Sequence, residues 1–317
     1  MSSPIIVTPQ TSIEELLEKS LSGMDSLEIT ISDTGFGPWS HSKLKQLYSC
    51  PLQFLCKNLL KITYEVSTEQ KDAQETLYWK YKGLVAHRIL EDMVMGMPFE
   101  ESYQRHEEEF LPHLGEEKWA DVSFLKDRLE SFCYRLERFH HEHTIVRKSC
   151  EQQLAVDVDW NPVPFNSKAA YFRGILDLTA ELRNRDVALF DHKNGGSAKY
   201  GIKNYEFQLR TQSLLFLADN PDIRGVIPFI HFIEDGDVAG GRDNYYSRQQ
   251  VMEEFSVTLK SCVHGTIESL EDAGAFRHIT GNHCKYCEMK PICRGGKRGT
   301  ANFLQPIVDK SKVFFRS

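Results

Sequence analysis

Two hydrophobic spacings alternate along the chain, and the change from one to the other locates the elements. Residues 75–96 (ETLYWKYKGLVAHRILEDMVMG) have helical periodicity, with Leu84, His87, Ile89 and Glu91 distributed over neighbouring turns. Helical spacing returns at 99–112 and 121–148, with a Pro/Gly-containing break between them. Upstream, Ser40-His41-Ser42-Lys43 reads as a helix start running to about Leu60, interrupted at Cys50-Pro51 because proline lacks the N–H a helix interior needs. Residues 1–35 are a poorly constrained lead-in with one short helix, Ile13–Leu21.

At Glu151 the period becomes two. Gln153–Trp160 (QLAVDVDW) alternates like a strand, and Tyr171–Leu182 and Val187–Lys193 read as two more, joined by a tight polar turn at Arg183-Asn184-Arg185-Asp186. An amphipathic helix from about Tyr205 to Asp219, an apolar strand Gly225–Ile233 and a long helix Ser247–Ala273 follow, and a Cys-rich tail closes the sequence. Helices, three strands, helix, strand, helix is the order of one α/β domain wrapped in helical additions. The expected parts are a lead-in at 1–39, a helical part at 40–150, a core at 151–275 and a tail at 276–317.

The chemistry concentrates in Gly174-Ile175-Leu176-Asp177 and Leu189-Phe190-Asp191-His192-Lys193. A hairpin centred on Arg185 sets Asp177 opposite Lys193, with Asp191 on the same face two residues earlier and diagonal to Asp177. Two converging carboxylates with the backbone carbonyl of His192 between them suit a hard Mg²⁺ or Mn²⁺ ion. The Lys193 ammonium can stabilise charge on a phosphate, so the set fits metal-assisted phosphodiester hydrolysis. Any one Asp could be an ordinary strand-end residue. Three charges inside otherwise apolar strands are another matter, since an unpaired charge there is costly.

The pattern Gly174-x-x-Asp177, Asp191-x-Lys193 and a helix carrying Gln208-Leu209 resembles the PD-(D/E)XK nuclease superfamily, in its RecB-like branch. The resemblance implies a mixed central sheet flanked by helices. It also implies that Gly83-Leu84-Val85-Ala86-His87 supplies His87 as a further metal ligand beside Asp177 and Asp191, with Lys193 and Gln208 completing the catalytic set. Two positions depart from the family pattern: Gln212 stands where a tyrosine is usual, one helical turn after Gln208, and Leu176 where proline is common. Gln212, able to face the substrate beside Gln208, is a weaker candidate, as are Glu151 and Glu91, acids near the site or simply solvated surface acids.

Composition changes this reading in two places. Net charge is −7, yet residues 285–317 hold eight Lys/Arg against Glu288 and Asp309, leaving −13 for the remainder. A basic tail can grip a polyanion or be a solvated surface. No apolar run approaches the ~20 residues of a membrane helix, and the N-terminus lacks a secretory pattern, so the expectation is an intracellular chain, a viral origin being open. In that setting eight cysteines point to metal or packing roles. Cys56, Cys133, Cys150 and Cys262 stand alone in sequence and read as small buried hydrophobes. Cys284, Cys287 and Cys293 follow a C-x2-C-x5-C spacing that lacks one ligand for a tetrahedral site, which His283 or Cys50 would supply.

A cysteine followed by proline before the core and three after it is similar to the RecB-like nucleases with an iron–sulfur clasp, among them AddB and the CRISPR-adaptation nucleases. The resemblance implies a 4Fe–4S cluster on Cys50, Cys284, Cys287 and Cys293 joining the two ends of the chain, with zinc as the rival. It favours exonucleolytic attack on single-stranded DNA ends, alongside a helicase, recombinase or CRISPR-adaptation partner in recombination, repair, replication or adaptation. The alternative is a non-catalytic DNA-binding module, or a nuclease subunit that needs its partner. No Gly-Lys-Ser/Thr phosphate loop is present, which excludes a helicase in this chain.

Overall fold

The computed structural model describes residues 5–7, 27–31, 37–59, 62–64, 71–195, 201–268, 276, 279–287, 293 and 311–315. The expected helix Ile13–Leu21 lies outside them. Two compact units divide the chain: one of Met1–Gln74, Lys168–Phe172 and Leu259–Ser317, the other of Glu75–Ser167 and Arg173–Thr258.

In the first unit, β1 (Ile5–Val7) and β2 (Leu27–Ile31) precede helix α1 (His41–Ser49) and the short α2 (Pro51–Phe54), which continues as a π-turn over Leu55–Leu59. The side chain of Ser40 caps α1, accepting from the Lys43 amide at 3.3 Å. Cys50 ends α1 and Pro51 opens α2, where its missing N–H costs nothing. Strand β3 (Ile62–Tyr64) pairs in parallel with β1. Trp39 stacks on Phe54 at 6.0 Å, within a core that includes Leu44, Leu47, Leu52, Leu55 and Cys56.

The second unit carries helices α3 (Lys71–Val94, within this unit from Glu75), α4 (Phe99–Leu114), α5 (Glu116–Ser123) and α6 (Lys126–His143). They cover one face of a mixed seven-stranded sheet. The sheet comprises β4 (Ile145–Val156), β5 (Pro162–Val163), β6 (Phe172–Leu182), β7 (Asp186–Lys193), β8 (Gly225–Phe232), β9 (Asp237–Gly240) and β10 (Tyr246–Ser247). Its order is β10-β8-β7-β6-β4-β5, with β9 on β8. Strands β6 and β7 are an antiparallel hairpin, whereas β7 and β8 run parallel with α7 (Glu206–Asp219) between them in sequence. β7 is buried from Asp186 to His192, the reason its centre, Val187–Phe190, is apolar on both faces and does not alternate. Arg248 donates to the carbonyls of Leu217, Asn220 and Ile223, closing the C-terminal end of α7.

Several sequence boundaries move. The helix predicted over 121–148 stops at His143, where Thr144 turns left-handed (φ 53°), and the strand expected from Gln153 already begins at Ile145. That strand ends at Val156, not Trp160, because the Asp157 carboxylate accepts the Asp159 and Asn161 amides (2.9 and 2.8 Å) and folds the chain into a turn. The long helix expected from Ser247 begins as a π-turn, Gln250–Phe255, and continues as α8 (Ser256–Glu268). A parallel strand β11 (Ser311–Phe315) pairs with β2.

The hairpin correction matters most. β6 and β7 pair Leu178 with Phe190 and Glu181 with Val187, so the centre is Asn184 and not Arg185. Arg185 is left-handed (φ 66°) and its amide bonds back to Leu182, a three-residue turn in which Asn184 Oδ1 also accepts the Asp186 amide at 3.1 Å. Continued by one pair, this register puts Asp177 across from Asp191 instead of Lys193. The shift is by two positions, so every side chain keeps its face.

Candidate active site

The end of β7 gathers the charged residues. Asp191 is 2% exposed, and both its oxygens are engaged: Oδ1 accepts from Gln208 Nε2 at 2.6 Å and Gln212 Nε2 at 3.0 Å, and Oδ2 lies 2.5 Å from Lys193 Nζ. Gln208 and Gln212 are one turn apart on α7, hence both reach the same carboxylate. Asp177 Oδ2 accepts the backbone N–H of His192 at 2.7 Å. Burial, then the neighbouring Asp191, pushes the Asp177 carboxyl up to about 7.

His87 comes from α3, four residues after Gly83. A Cβ on Gly83 would overlap the carboxamide of Asn194, the residue after Lys193, so glycine here lets α3 close on the end of β7. Glu151 projects from β4, where its backbone is left-handed (φ 47°) in the middle of the strand, an uncommon state for a non-glycine residue that re-aims a side chain. His87 Nδ1 lies 4.0 Å from Glu151 Oε1. Burial acts to lower the His87 pKa and is outweighed by Glu151 and the charges of Asp177 and Asp191, so the net shift is upward.

Among the described residues, His87, Glu151 and Asp177 form a set whose donor atoms all lie within 4.8 Å of one another. One imidazole and two carboxylates make a donor set that fits a Mg²⁺ or Mn²⁺ ion. Asp191 is not part of the set; its oxygens face the glutamines and Lys193. Glu151, the weaker sequence candidate, is inside it, while Glu91 pairs with Arg88 at 3.5 Å. His192 engages Asp177 through its N–H, and its ring points elsewhere: His192 Nδ1 is 3.1 Å from His231 Nδ1, both rings pack against Phe132, and His87 meets His192 edge-on at 5.7 Å. Burial, followed by Arg135 and His87, lowers the His231 pKa to about 3, and burial with His231 and His87 holds His192 well below its usual value, so the pair is neutral. His231 and Tyr205, whose ring lies 5.6 Å from Lys193 Nζ, carry no sequence signal of their own.

Burial, followed by the charges of Cys293, Cys50 and Cys287, pushes the Cys56 thiol far upward; Cys56 is fully buried, as its reading as a small buried hydrophobe expects, and it stands near three of the expected cluster cysteines. Cys284 Sγ meets local groups, the Gly281 amide at 3.4 Å and His283 Nε2 at 3.6 Å. The soft thiol chemistry of this neighbourhood fits an iron–sulfur cluster or zinc.

Residues 38–294 match the PD-(D/E)XK nuclease superfamily, and the chain belongs to it. Its members are nucleases that use divalent metals. No curated protein matches the chain. No helix among the described residues is long and apolar enough to cross a membrane.

Proposed function

We propose that the chain is a RecB-like deoxyribonuclease that hydrolyses phosphodiester bonds at single-stranded DNA ends, with a 4Fe–4S clasp on Cys50, Cys284, Cys287 and Cys293. The observation that carries the catalytic part is the convergence of His87, Glu151 and Asp177 beside the Asp191–Lys193 pair. His87, Glu151 and Asp177 would hold Mg²⁺ or Mn²⁺, which supplies charge to polarise the phosphate and acidify the attacking water. Asp191, fixed by Gln208 and Gln212, holds the Lys193 ammonium at the end of β7, where it neutralises charge on the phosphoryl oxygens. The amide of His192 fixes the Asp177 carboxylate. A partner helicase, recombinase or CRISPR-adaptation protein would deliver the DNA end.

Digestion of end-labelled single- and double-stranded DNA by anaerobically purified protein, with and without Mn²⁺, tests this reading. Metal-dependent shortening of the single strand supports it; intact DNA in every lane removes it.

A further inference from the structure

Five consecutive residues on α3, Tyr78-Trp79-Lys80-Tyr81-Lys82, interleave aromatics with lysines. Lys82 Nζ lies 5.0 Å from the Trp79 ring and 5.9 Å from that of Tyr78, Lys118 Nζ lies 4.2 Å from Tyr78, and Lys80 Nζ lies 5.8 Å from Tyr81. Lys82 is ion-paired to Glu234 at 2.8 Å and Asp121 lies on Tyr78, while Lys80 and Lys118 supply further positive charge in a chain of net charge −7. The two tyrosines have partners inside the fold: Tyr81 stacks on His113 at 4.5 Å, and the Tyr78 hydroxyl donates to Asp121 at 3.3 Å. Trp79 is 46% exposed.

Its position on the helix links it to the metal set. Residues 79, 83 and 87 are spaced four apart, so they share one stripe of α3. Gly83 abuts Asn194, directly after Lys193, and His87 is one of the metal-set donors. Eight residues of helix place Trp79 ~12 Å along the axis from His87, about three to four stacked nucleotides at the rise of a DNA strand.

We infer that Trp79 is the platform on which an unpaired nucleobase stacks when the strand's phosphate lies at the metal set, with Lys80 and Lys118 attracting the backbone. Resting on the nuclease reading, this assigns the preference for single strands to a residue, since a base in a duplex offers no free face to a side chain. The patch commits to a single-stranded nucleic acid because every base has a stackable face and lysine charge complements phosphate.

The test is binding of fluorescent single-stranded oligonucleotides in EDTA, where no cleavage intervenes, by wild type, Trp79→Phe and Trp79→Ala. Alanine is expected to weaken binding about 5- to 150-fold and phenylalanine far less. A single abasic site moved along the oligonucleotide should weaken wild type at one register, and leave Trp79→Ala unaffected at that register. Equal affinity of wild type and Trp79→Ala, or an abasic penalty the same in both proteins at every register, overturns the inference. Cleavage in Mn²⁺ by the same wild-type preparation is read separately, so a protein that stacks bases without cutting defeats the nuclease reading and not this one.

Discussion

The carboxamide of Gln212 donates to Oδ1 of Asp191 at 3.0 Å, and Gln208 donates to the same oxygen from the preceding turn of α7 at 2.6 Å. Two donors on one oxygen fix the carboxylate and leave its other oxygen to Lys193. Hydrogen bonds to charged groups contribute roughly 1.5–3 kcal/mol. Gln212→Leu, which keeps the volume, is therefore expected to lower kcat about 10- to 100-fold with KM little changed. Gln212→Glu should be worse, since it sets a second carboxylate against Asp191. Steady-state cleavage kinetics check both, and a Gln212→Leu enzyme with wild-type kcat refutes the positioning role.

Glu151 pairs strain with function. A left-handed non-glycine residue costs about 1–2 kcal/mol. Glu151→Ala keeps that cost and loses the carboxylate; Glu151→Gly removes both. Glycine is expected to be the more stable variant by about 1 kcal/mol in urea unfolding, while both lose Mn²⁺ affinity equally. An alanine variant as stable as the glycine one would mean the backbone at 151 is unstrained.

The Asp177 carboxyl, raised to about 7 by burial and Asp191, predicts how the metal-free protein responds to pH. Its unfolded value is about 3.9. Because the folded value is the higher one, the stabilising contribution is complete below pH ~4 and is lost as pH rises through about 7. Asp177→Asn should raise the Tm of metal-free protein by several degrees at pH 8 and little at pH 4. Mn²⁺ should bind wild type more tightly as pH rises over that interval, since it displaces a proton. A Tm difference independent of pH contradicts the assignment.

Cys287→Ser should remove the visible absorbance of an iron–sulfur cluster and lower the Tm, whereas Cys133→Ser, far in chain position from the thiol group, should keep the colour. Colour and melting unchanged in Cys287→Ser removes the clasp; a colourless wild type carrying one zinc by metal analysis replaces the cluster with the rival metal.

Much of this was legible in sequence. The charged triad in apolar strands marks β6 and β7, and the Gly83–His87 spacing marks the helix that closes on them. Alternation alone sets the hairpin centre one residue too far along, because turn geometry, with Arg185 left-handed, is not encoded in it. The error moved the pairing by two and so left the face intact. Glu151 ranked low because its inward aim depends on a backbone kink that no residue pattern announces. The helical spacing puts Gln212 on the face of Gln208 as a weaker candidate, and only the reach of α7 to Asp191 shows its hydrogen bond. The burial of Cys56 is legible in sequence, but its nearness to Cys287 and Cys293 is not, because they are more than two hundred residues away.

The most direct test is calorimetric titration of Mn²⁺ into wild type, Asp177→Asn and Glu151→Gln without DNA. One site in wild type, lost in both variants while their circular dichroism stays native, is the expected result. Wild-type affinity retained in both variants would contradict a metal site built from His87, Glu151 and Asp177.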